Sequence, residues 1–445
     1  MNSTMPHDRL LLVFGALWTV LSCGAKNGND VLPSITEDHE TMTKGTGESS
    51  PESSSFTPSS SDSTTMQPGA CRNGKVEDGE GCDDGNLLDG DGCNNDCTIS
   101  ATLLWEHYIS DHPAVTDLAV DATDHVVVGG ATRGAAAHQW VARFNPDLML
   151  DWSKVYDSDQ SGMVAGVAVD ADAIFAVGAV DTPDGHDTWV SRLDFQGTSA
   201  WETTSGVAGQ DYATDAAITE VGDVLVAGLM TVNGETSLSL LQCDSKGSLG
   251  WQTLFPLNKD VGVVFPLGPG MTVVDDRVIA GFARWQGDMT SELVIAYPVG
   301  GSDPTWVFDI PQTAGYVLGV AMSSGDILVT GSSQSIMAVH RIGARGDVMW
   351  YSEDCTGESG REIAVDSQGD IVVIGDGPGA NGRNIRLCKF DSAGKLKWGK
   401  DLDGPGAGDD LGYTLAIGAR NRIIAGGSVS NENGERDGWL AVFSP

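Results

Sequence analysis

A tryptophan recurs at nearly constant spacing through most of this chain of 445 residues, and this repeat limits the possible folds more than any other feature. The markers are Trp105, Trp152, Trp201, Trp251, Trp306, Trp350 and Trp398. Successive spacings are 47, 49, 50, 55, 44 and 48 residues, and a last unit of 48 residues ends at Pro445. The chain therefore contains seven related units.

Each unit reads as four short strands: a Trp-bearing strand, an alternating apolar run, a run such as VVVGG or IFAVG, and a fourth such as WVSRLDFQG. Apolar residues alternate between turn residues without a helical period, which indicates antiparallel β-meanders. A glycine recurs after the third strand, where we expect a sharp turn with positive φ. A period of about 40 to 50 residues built from strands is typical of β-propellers. The sequence predicts an all-β, seven-bladed β-propeller over residues 101–445.

The two ends of the repeat array complement each other. The seventh unit stops at Pro445, directly after WLAVF, and lacks a following Trp strand. The first Trp strand, at residues 103–109, has no blade before it. We therefore expect the N-terminal strand to pair with the C-terminal blade and close the ring, which leaves no open sheet edge.

The units resemble the bacterial β-propeller repeat family, whose repeats end in Asp-x-x-Gly-x-x-x-Trp. This ending is clearest at Asp194, Gly197 and Trp201, at Asp244, Gly247 and Trp251, and at Asp391, Gly394 and Trp398. Unit four departs most, because it has an extended proline-containing loop and Pro298-Val-Gly-Gly in place of the Asp-x-x-Gly. The resemblance implies the fold but no activity, since propellers host many unrelated functions.

The N-terminus reads as an export signal. Residues 10–21 form an apolar run of 12 after His7 and Arg9. At about 1.5 Å per residue this run is too short to span a bilayer of about 30 Å, so residues 1–23 are predicted to be a signal peptide. The sequence Val-Leu-Ser-Cys at residues 20–23 resembles the lipobox of bacterial lipoproteins. This implies lipidation of Cys23, a membrane contact through the lipid anchor, and a location at the outer membrane or cell surface. An ordinary secretory signal cleaved nearby is the alternative.

Residues 24–70 are rich in Ser, Thr, Glu, Gly and Pro and include ESSPESSSFTPSSSDSTT. Such a segment can bury too little apolar surface to offset the entropy lost on ordering. We predict a disordered tether between the anchor and the rest of the chain.

A small cysteine-rich module is predicted at residues 71–98. Its four cysteines are Cys71, Cys82, Cys93 and Cys97. A segment this short lacks a hydrophobic core, and export would place it where disulfides persist, so two disulfides are expected. Four cysteines allow three pairings, which the spacing alone does not decide.

This module closely resembles the myxobacterial cysteine-rich disulfide repeat. The matching residues are Cys71, Asn73, Gly74, Cys82, Asp83, Asp84, Gly85, Asn86, Asp89, Gly90, Asp91, Gly92, Cys93 and Cys97, whereas Arg72 replaces a common glycine. The resemblance implies an extracellular accessory module of unassigned biochemical role. It bears on localisation more than on activity.

Five side chains of the module could supply the hard oxygen ligands that calcium prefers. They are Asp83, Asp84, Asn86, Asp89 and Asp91. The EF-hand template fails, because its third ligand position, counted from Asp84, falls on Leu88 and no Glu follows at the twelfth position. The favoured alternative is that these side chains close tight glycine turns on their own backbone, so calcium is a hypothesis here.

The charge balance narrows the possible partners. The chain has 25 Lys and Arg against 62 Asp and Glu, a formal net charge of -37. A field of this sign repels nucleic acid and anionic lipid, so we expect no nucleic-acid partner. We predict a soluble, monomeric propeller.

The sequence shows no catalytic constellation. The propeller histidines are scattered, and the paired carboxylates Asp275-Asp276 and Asp409-Asp410 lie in predicted turns where solvated Asp is usual. The repeated Trp invites comparison with quinoprotein dehydrogenases, but the chain has no adjacent Cys pair. We interpret the Trp residues as packing between blades. Cys355 and Cys388 could form a disulfide within one unit, which would leave Cys243 as a buried single thiol.

Any ligand is expected on the loops of one propeller face. These loops include residues 158–162, 181–187, 209–212, 285–288, 377–383 and 431–437. Their polar composition suits a glycan or a partner protein. The leading hypothesis is a non-enzymatic, surface-anchored lipoprotein that presents the propeller as a binding platform. The alternatives are an exported enzyme that acts on polysaccharide or uses a quinone, and a structural envelope component without a discrete ligand.

Overall fold

The computed structural model describes residues 71, 73–77, 80–134, 136–156, 160–207, 209–256, 270–286, 289–310 and 315–445, without the side chains of residues 283–290. The predicted signal peptide, the lipidation site Cys23 and the predicted tether lie outside these residues. In the part of the chain that is described, no helix has the length and apolarity needed to cross a membrane.

The described residues form seven antiparallel sheets, which confirms the predicted all-β propeller. Blades 1 to 3 contain β2 (Val115–Val120), β3 (Val126–Ala131), β4 (Gln139–Phe144), β5 (Leu150–Val155), β6 (Gly162–Val169), β7 (Ile174–Thr182), β8 (Gly185–Leu193), β9 (Ser199–Ser205), β11 (Tyr212–Ile218), β12 (Val224–Val232), β13 (Glu235–Cys243) and β14 (Leu249–Pro256). A two-residue strand, β10 (Gly209–Gln210), adds to β8 of blade 2 in parallel.

Blades 4 to 6 contain β15 (Met271–Val274), β16 (Arg277–Gln286), β17 (Met289–Pro298), β18 (Trp306–Asp309), β19 (Gly315–Ser323), β20 (Asp326–Ser333), β21 (Ile336–Ile342), β22 (Val348–Ser352), β23 (Ser359–Val365), β24 (Ile371–Pro378), β25 (Arg383–Phe390) and β26 (Leu396–Leu402). Blade 7 is built from β27 (Leu411–Ile417), β28 (Ile423–Ser430), β29 (Arg436–Phe443) and β1 (Leu103–Ile109). A short 3₁₀ turn, Ala419–Asn421, joins β27 to β28.

The ring closes as the sequence predicts. Strand β1 pairs antiparallel with β29, so that Trp105 lies opposite Val442 and His107 opposite Leu440. The Trp strand that opens each sequence unit is therefore the outermost strand of the preceding blade. The sequence repeat and the structural blade are offset by one strand, and this offset ties the first residues of the propeller to the last.

The core of the propeller lies between blades rather than inside them. The first strands of successive blades contact one another around a central axis. Buried side chains of neighbouring blades interdigitate, as Val127 of blade 1 does with Ile174 of blade 2. Clusters of this kind, formed by described residues, lie at each of the seven boundaries between blades.

Three of the marker tryptophans, Trp152, Trp201 and Trp251, donate a hydrogen bond to the following blade. Trp152 Nε1 donates a hydrogen bond of 2.9 Å to the Phe195 carbonyl, in the turn before the outer strand of blade 2. Gly197 of this turn has φ of 80°, and a Cβ there would lie 2.8 Å from the Trp152 ring. The same bond joins Trp201 to Ser245 and Trp251 to Gly301. The Asp-x-x-Gly turn therefore provides both the positive φ and the surface on which the preceding Trp packs.

The glycine after each third strand of the sequence unit does not have the positive φ expected from the sequence. Gly178, Gly331 and Gly375 lie inside strands, and none of them is among the residues with positive φ. A Cβ at Gly331 would instead overlap the Tyr316 carbonyl oxygen of the inner strand. The inner strand has a bulge there, between Val317 and Gly319, which drives its backbone toward the neighbouring strand. Close backbone approach, not a turn, requires glycine at these positions.

The cysteine-rich module packs against the end of the propeller where the chain also terminates. Its disulfides join Cys71 to Cys97 and Cys82 to Cys93, which selects one of the three possible pairings. A Cβ on Gly90 would overlap Lys389 Nζ and lie 3.3 Å from the carbonyl carbon of Pro445. Ala101 N donates to Pro445 O at 3.1 Å. We call this side the bottom face. The opposite top face carries the loops that join the second strand of a blade to its third and one blade to the next.

Candidate functional site: the top face

The loops predicted to share one face are joined there by backbone hydrogen bonds. Asp211 N donates to His186 O at 2.9 Å, and Asp410 N donates to Arg383 O at 2.7 Å. Each bond links the hairpin of one blade to the connection that enters the next blade. Residues 158, 159, 287 and 288 of the predicted loops lie outside the described residues. The described residues of these loops share the top face, and the two hydrogen bonds hold their backbone together at blades 2 and 3 and at blades 6 and 7.

Four arginines occupy the top face of blades 6, 7 and 1, and we call Arg133, Arg361, Arg383 and Arg436 the basic sector. Arg361 Nε is 2.6 Å from Asp376 Oδ1, and Arg383 Nη1 is 3.2 Å from Asp376 Oδ2. Asp409 Oδ2 is 2.9 Å from Arg383 and 3.8 Å from Arg436. Arg133 of blade 1 contacts blade 7 at the closing seam, the boundary between the first and last blades, where its Nη2 is 2.8 Å from Asp437 Oδ1.

The electrostatics of this sector follow from the shared carboxylates. Burial alone would raise the pKa of Asp409, but hydrogen bonds and charge from Arg383 hold that pKa below its usual value. The Arg361 guanidinium lies 5.2 Å above the Tyr413 ring. Its Nη1 is buried and has no hydrogen-bond partner among the described residues.

Four carboxylates lie at the top of blades 2 and 3, and we call Asp181, Asp184, Asp187 and Asp211 the acidic sector, although Asp211 is fully buried. His186 Nδ1 lies 2.7 Å from Asp181 Oδ1. Burial, together with the charges of Asp211 and Asp184, raises the pKa of Asp187. The arginines of the basic sector are thus paired with the carboxylates of Asp376, Asp409, Asp437 and Glu435, whereas the acidic sector is formally negative.

One of the paired carboxylates that the sequence places in solvated turns is structural. Asp410 is fully buried, and its oxygens accept hydrogen bonds from Ser430 N at 2.7 Å and Gly404 N at 2.6 Å. Asp211 accepts two backbone N–H groups in the same way in blade 3. The expectation of a solvated side chain is therefore wrong for Asp410, because this aspartate fastens the connection between blades. Asp275, by contrast, is exposed.

Three carboxyl groups around the central axis were missed at the sequence level. Asp117, Asp215 and Glu362 lie at the bulges of inner strands in blades 1, 3 and 6, where blades 2 and 5 have glycine. The available signal was an acidic residue inside an otherwise apolar strand, as in VTDLAV and SGREIAV. We call these three side chains the axial carboxyls.

Each axial carboxyl accepts backbone hydrogen bonds, and two of them link neighbouring blades. Val167 N of blade 2 donates to Asp117 Oδ2 at 2.7 Å, and Met271 N of blade 4 donates to Asp215 Oδ2 at 2.7 Å. Burial raises the pKa of Asp117 to about 6 despite these bonds. Burial and the charges of its neighbours raise the pKa of Asp215 and Glu362 well above their usual values. Three carboxylates that face the same central axis repel one another when ionised, and this repulsion favours their protonated forms.

These raised pKa values predict that the free energy of unfolding decreases as pH rises. The stabilisation that these three protonated carboxyls provide is fully present below about pH 4, the usual pKa range of carboxyls in an unfolded chain. It is lost as pH rises through about 6, the pKa of folded Asp117, and through the higher pKa values of Asp215 and Glu362. Glu362→Gln removes one of the ionising groups while its amide oxygen can still accept from Ile363 N, a bond of 2.8 Å. We expect this variant to gain stability over the parent protein at pH 8 but not at pH 4.5.

Urea unfolding at the two pH values would measure the difference. Glu220→Gln is the control, because Glu220 lies exposed at the end of an inner strand of blade 3 and carries the same charge. Equal shifts for both variants at pH 8 would contradict the axial assignment.

The other predicted site residues lie apart from the top face. Cys355 and Cys388 form a disulfide, and Cys243 is buried and is the one unpaired cysteine among the described residues. In the cysteine-rich module, aspartate and asparagine oxygens accept hydrogen bonds from turn N–H groups, as Asp83 Oδ1 does from Gly85 N and Asp84 Oδ1 from Asn86 N. Further bonds involve Asn86, Asp89 and Asp91.

Among the described residues, one group has the spacing of metal ligands, Cys71, Glu80 and Cys97, and both of its sulfurs are joined in a disulfide. The propeller histidines are not brought together either. His112 packs on Trp140 in blade 1, His186 contacts Asp181 in blade 2, and His340 belongs to blade 5.

No family model matches the chain, and no curated protein matches it. Among solved structures, it is similar to a catalytically inactive variant of virginiamycin B lyase from Staphylococcus aureus with quinupristin, at a TM-score of 0.51 and 13% identity over 76% of this chain and 99% of that one. It is also similar to hydrazine synthase of Kuenenia stuttgartiensis, at a TM-score of 0.52 and 11% identity over 76% and 97% of the two chains. At such identities, the likeness shows the propeller fold alone.

Proposed function

We propose that this protein is an exported, surface-anchored lipoprotein that presents the top face of its propeller as a non-enzymatic binding platform. The observation that carries the proposal is the uneven distribution of charged groups on the top face, with ion-paired arginines on blades 6, 7 and 1 and a group of carboxylates on blades 2 and 3. Backbone hydrogen bonds and ion pairs hold these side chains in place, so a ligand meets preorganised groups. The described part of the cysteine-rich module packs on the bottom face, opposite the proposed binding surface.

Three disulfides support the proposed export. They join Cys71 to Cys97, Cys82 to Cys93 and Cys355 to Cys388. Disulfides persist in oxidising compartments and are rare in the cytosol. The anchor rests on the lipobox around Cys23. A Cys23→Ser variant should be released from membranes and lose incorporation of labelled palmitate, whereas membrane retention of this variant would argue against the anchor.

Binding and turnover assays on the purified mature protein test the platform itself. We expect glycan-array or protein-capture binding that depends on top-face residues, with no product formed from the bound ligands. Turnover of polysaccharide, or quinone-dependent oxidation, would replace the platform with the enzyme alternative. Absence of binding to any glycan or protein would favour a purely structural envelope component.

A further inference from the structure

The short connection between the cysteine-rich module and β1 is bonded to the last residues of the propeller. Ser444 N donates to Thr102 O at 2.9 Å, and Thr102 N donates to the Ser444 hydroxyl at 3.0 Å. The same hydroxyl donates to Ile99 O at 3.2 Å. Ile99 is in turn paired with Cys93 of the module in an isolated β-bridge. The module is therefore joined to the two strands that close the ring, β1 and β29.

The module also covers a buried ion pair on the bottom face of blade 6. Lys389 Nζ lies 2.8 Å from Asp366 Oδ2 and 3.5 Å from Asp370 Oδ2. The side chains of Lys389 and Asp366 are each 1% exposed. Gly90 of the module lies directly against Lys389 Nζ, so that a Cβ on Gly90 would overlap this atom. The solvent exposure of Lys389 therefore reports whether the module is docked.

The described part of the module has no apolar core of its own to hold it in this position. Its aliphatic side chains, Val76, Leu87 and Leu88, are 61%, 61% and 55% exposed. A small segment without a core depends on covalent cross-links for its fold. We infer that the two disulfides of the module maintain the conformation that contacts the propeller.

The three disulfides of the described chain differ in their access to a reductant. Cys71 and Cys82 are partly exposed, so each disulfide of the module has one accessible end. Cys355 and Cys388 are both 2% exposed. Because thiol–disulfide exchange requires access to a sulfur, a dithiol should open the bonds of the module first. In each exchange the disulfide gains two electrons and two protons and becomes two thiols, while the dithiol becomes a disulfide.

We propose that the cysteine-rich module is a disulfide-dependent clasp that stabilises the closed ring. While both of its disulfides are intact, the module holds residues 99–102 against Ser444 and covers Lys389. Reduction of these bonds unfolds the module, weakens the contacts of residues 99–102 and exposes Lys389. The propeller is therefore most stable in oxidising surroundings, whether or not a ligand is bound to the top face.

Lysine acetylation of the purified, oxidised protein tests the clasp. A pulse of an N-hydroxysuccinimide ester of acetate is applied before and after treatment with dithiothreitol, and mass spectrometry measures the label on each lysine. We expect acetylation of Lys389 to rise by about tenfold or more once the disulfides of the module open, and the midpoint of urea unfolding to fall. Lys395 is the internal control, because it is exposed on a bottom-face turn of the same blade and should react equally in both states. Alkylation of free thiols shows which disulfides have opened.

Two glycine variants separate the docking of the module from its disulfides. Gly90 and Gly74 have nearly the same backbone conformation, with φ of 77° and 79°. Gly90→Ala introduces the overlap with Lys389, whereas a Cβ on Gly74 would have no atom within 4 Å. With both disulfides formed, Gly90→Ala should raise the acetylation of Lys389 and lower the unfolding midpoint. Gly74→Ala carries the same backbone strain but should leave Lys389 protected.

The inference fails if Lys389 is as well protected in the reduced protein as in the oxidised one. It also fails if opening the disulfides of the module leaves the unfolding midpoint unchanged, or if the two glycine variants expose Lys389 equally. Opening of the Cys355–Cys388 bond at the same dithiothreitol concentration as the bonds of the module would overturn the proposed order of reduction.

Discussion

Gly331→Ala is expected to destabilise the propeller by about 3 kcal/mol, a large effect for one methyl group. Gly331 lies in β20, and an added Cβ would overlap the Tyr316 carbonyl oxygen on the bulged inner strand. The obstructing atom belongs to the backbone, so no side chain can move aside to relieve the overlap. Either the inner strand shifts toward the axis or blade 5 loses the pairing of β19 with β20.

Gly250→Ala provides the control in the same kind of element. Gly250 lies in the outer strand β14, its φ is outside the positive region, and the nearest atom to an added Cβ is the Gln242 carbonyl oxygen at 3.8 Å. Alanine there should be neutral or stabilise by up to about 1 kcal/mol, because it restricts the unfolded chain. Urea unfolding of both variants measures the difference. A Gly331→Ala protein as stable as Gly250→Ala would show that the bulge is not a fixed constraint.

Removing the disulfide between Cys355 and Cys388 is expected to lower the free energy of unfolding by about 3 to 4 kcal/mol. The bond joins the connection before blade 6 to strand β25 of that blade, across 33 residues of sequence. Without this cross-link the unfolded chain gains the entropy of an open loop. Both sulfurs are buried, so alanine replacements are preferable to serine, which would bury hydroxyl groups without partners.

Cys243→Ala is the natural comparison for the double variant Cys355→Ala and Cys388→Ala. Cys243 is equally buried but unpaired, so its replacement deletes a sulfur without removing a cross-link. We expect it to cost only about 1 kcal/mol. If denaturant unfolding gave the double variant twice the loss of Cys243→Ala and no more, the cross-link would contribute nothing beyond packing.

The features that repeat along the chain could be predicted from the sequence. Trp spacing determined the number of blades, and the unmatched strands at residues 103–109 and at the C-terminus predicted the ring closure. In both cases the recurring Trp marks the start of each unit, so its spacing alone shows how many units there are and which strand lacks a neighbour. The period alone was sufficient because neighbouring blades pack in the same way.

The features that break the repeat could not be predicted. Asp117, Asp215 and Glu362 are distant in sequence, and only the closed ring brings them to one axis. The recurring glycine, by contrast, keeps the repeat, and the turn predicted there is wrong because the bulge that requires Gly331 lies in the neighbouring strand. The basic sector likewise joins arginines of separate units, including Arg133 and Arg436, across the closing seam.

The strand offset that closes the ring also sets the order in which the protein can fold. Thr102 and Ser444, which are 342 residues apart, are hydrogen-bonded where the ring closes. Contacts of such separation form late, because the entropy of closing so long a loop must be overcome first. The ring cannot close until the last strand has been synthesised, and until then β1 is an unpaired strand exposed to aggregation. A chain that is translocated before it folds would avoid that exposure in the cytoplasm.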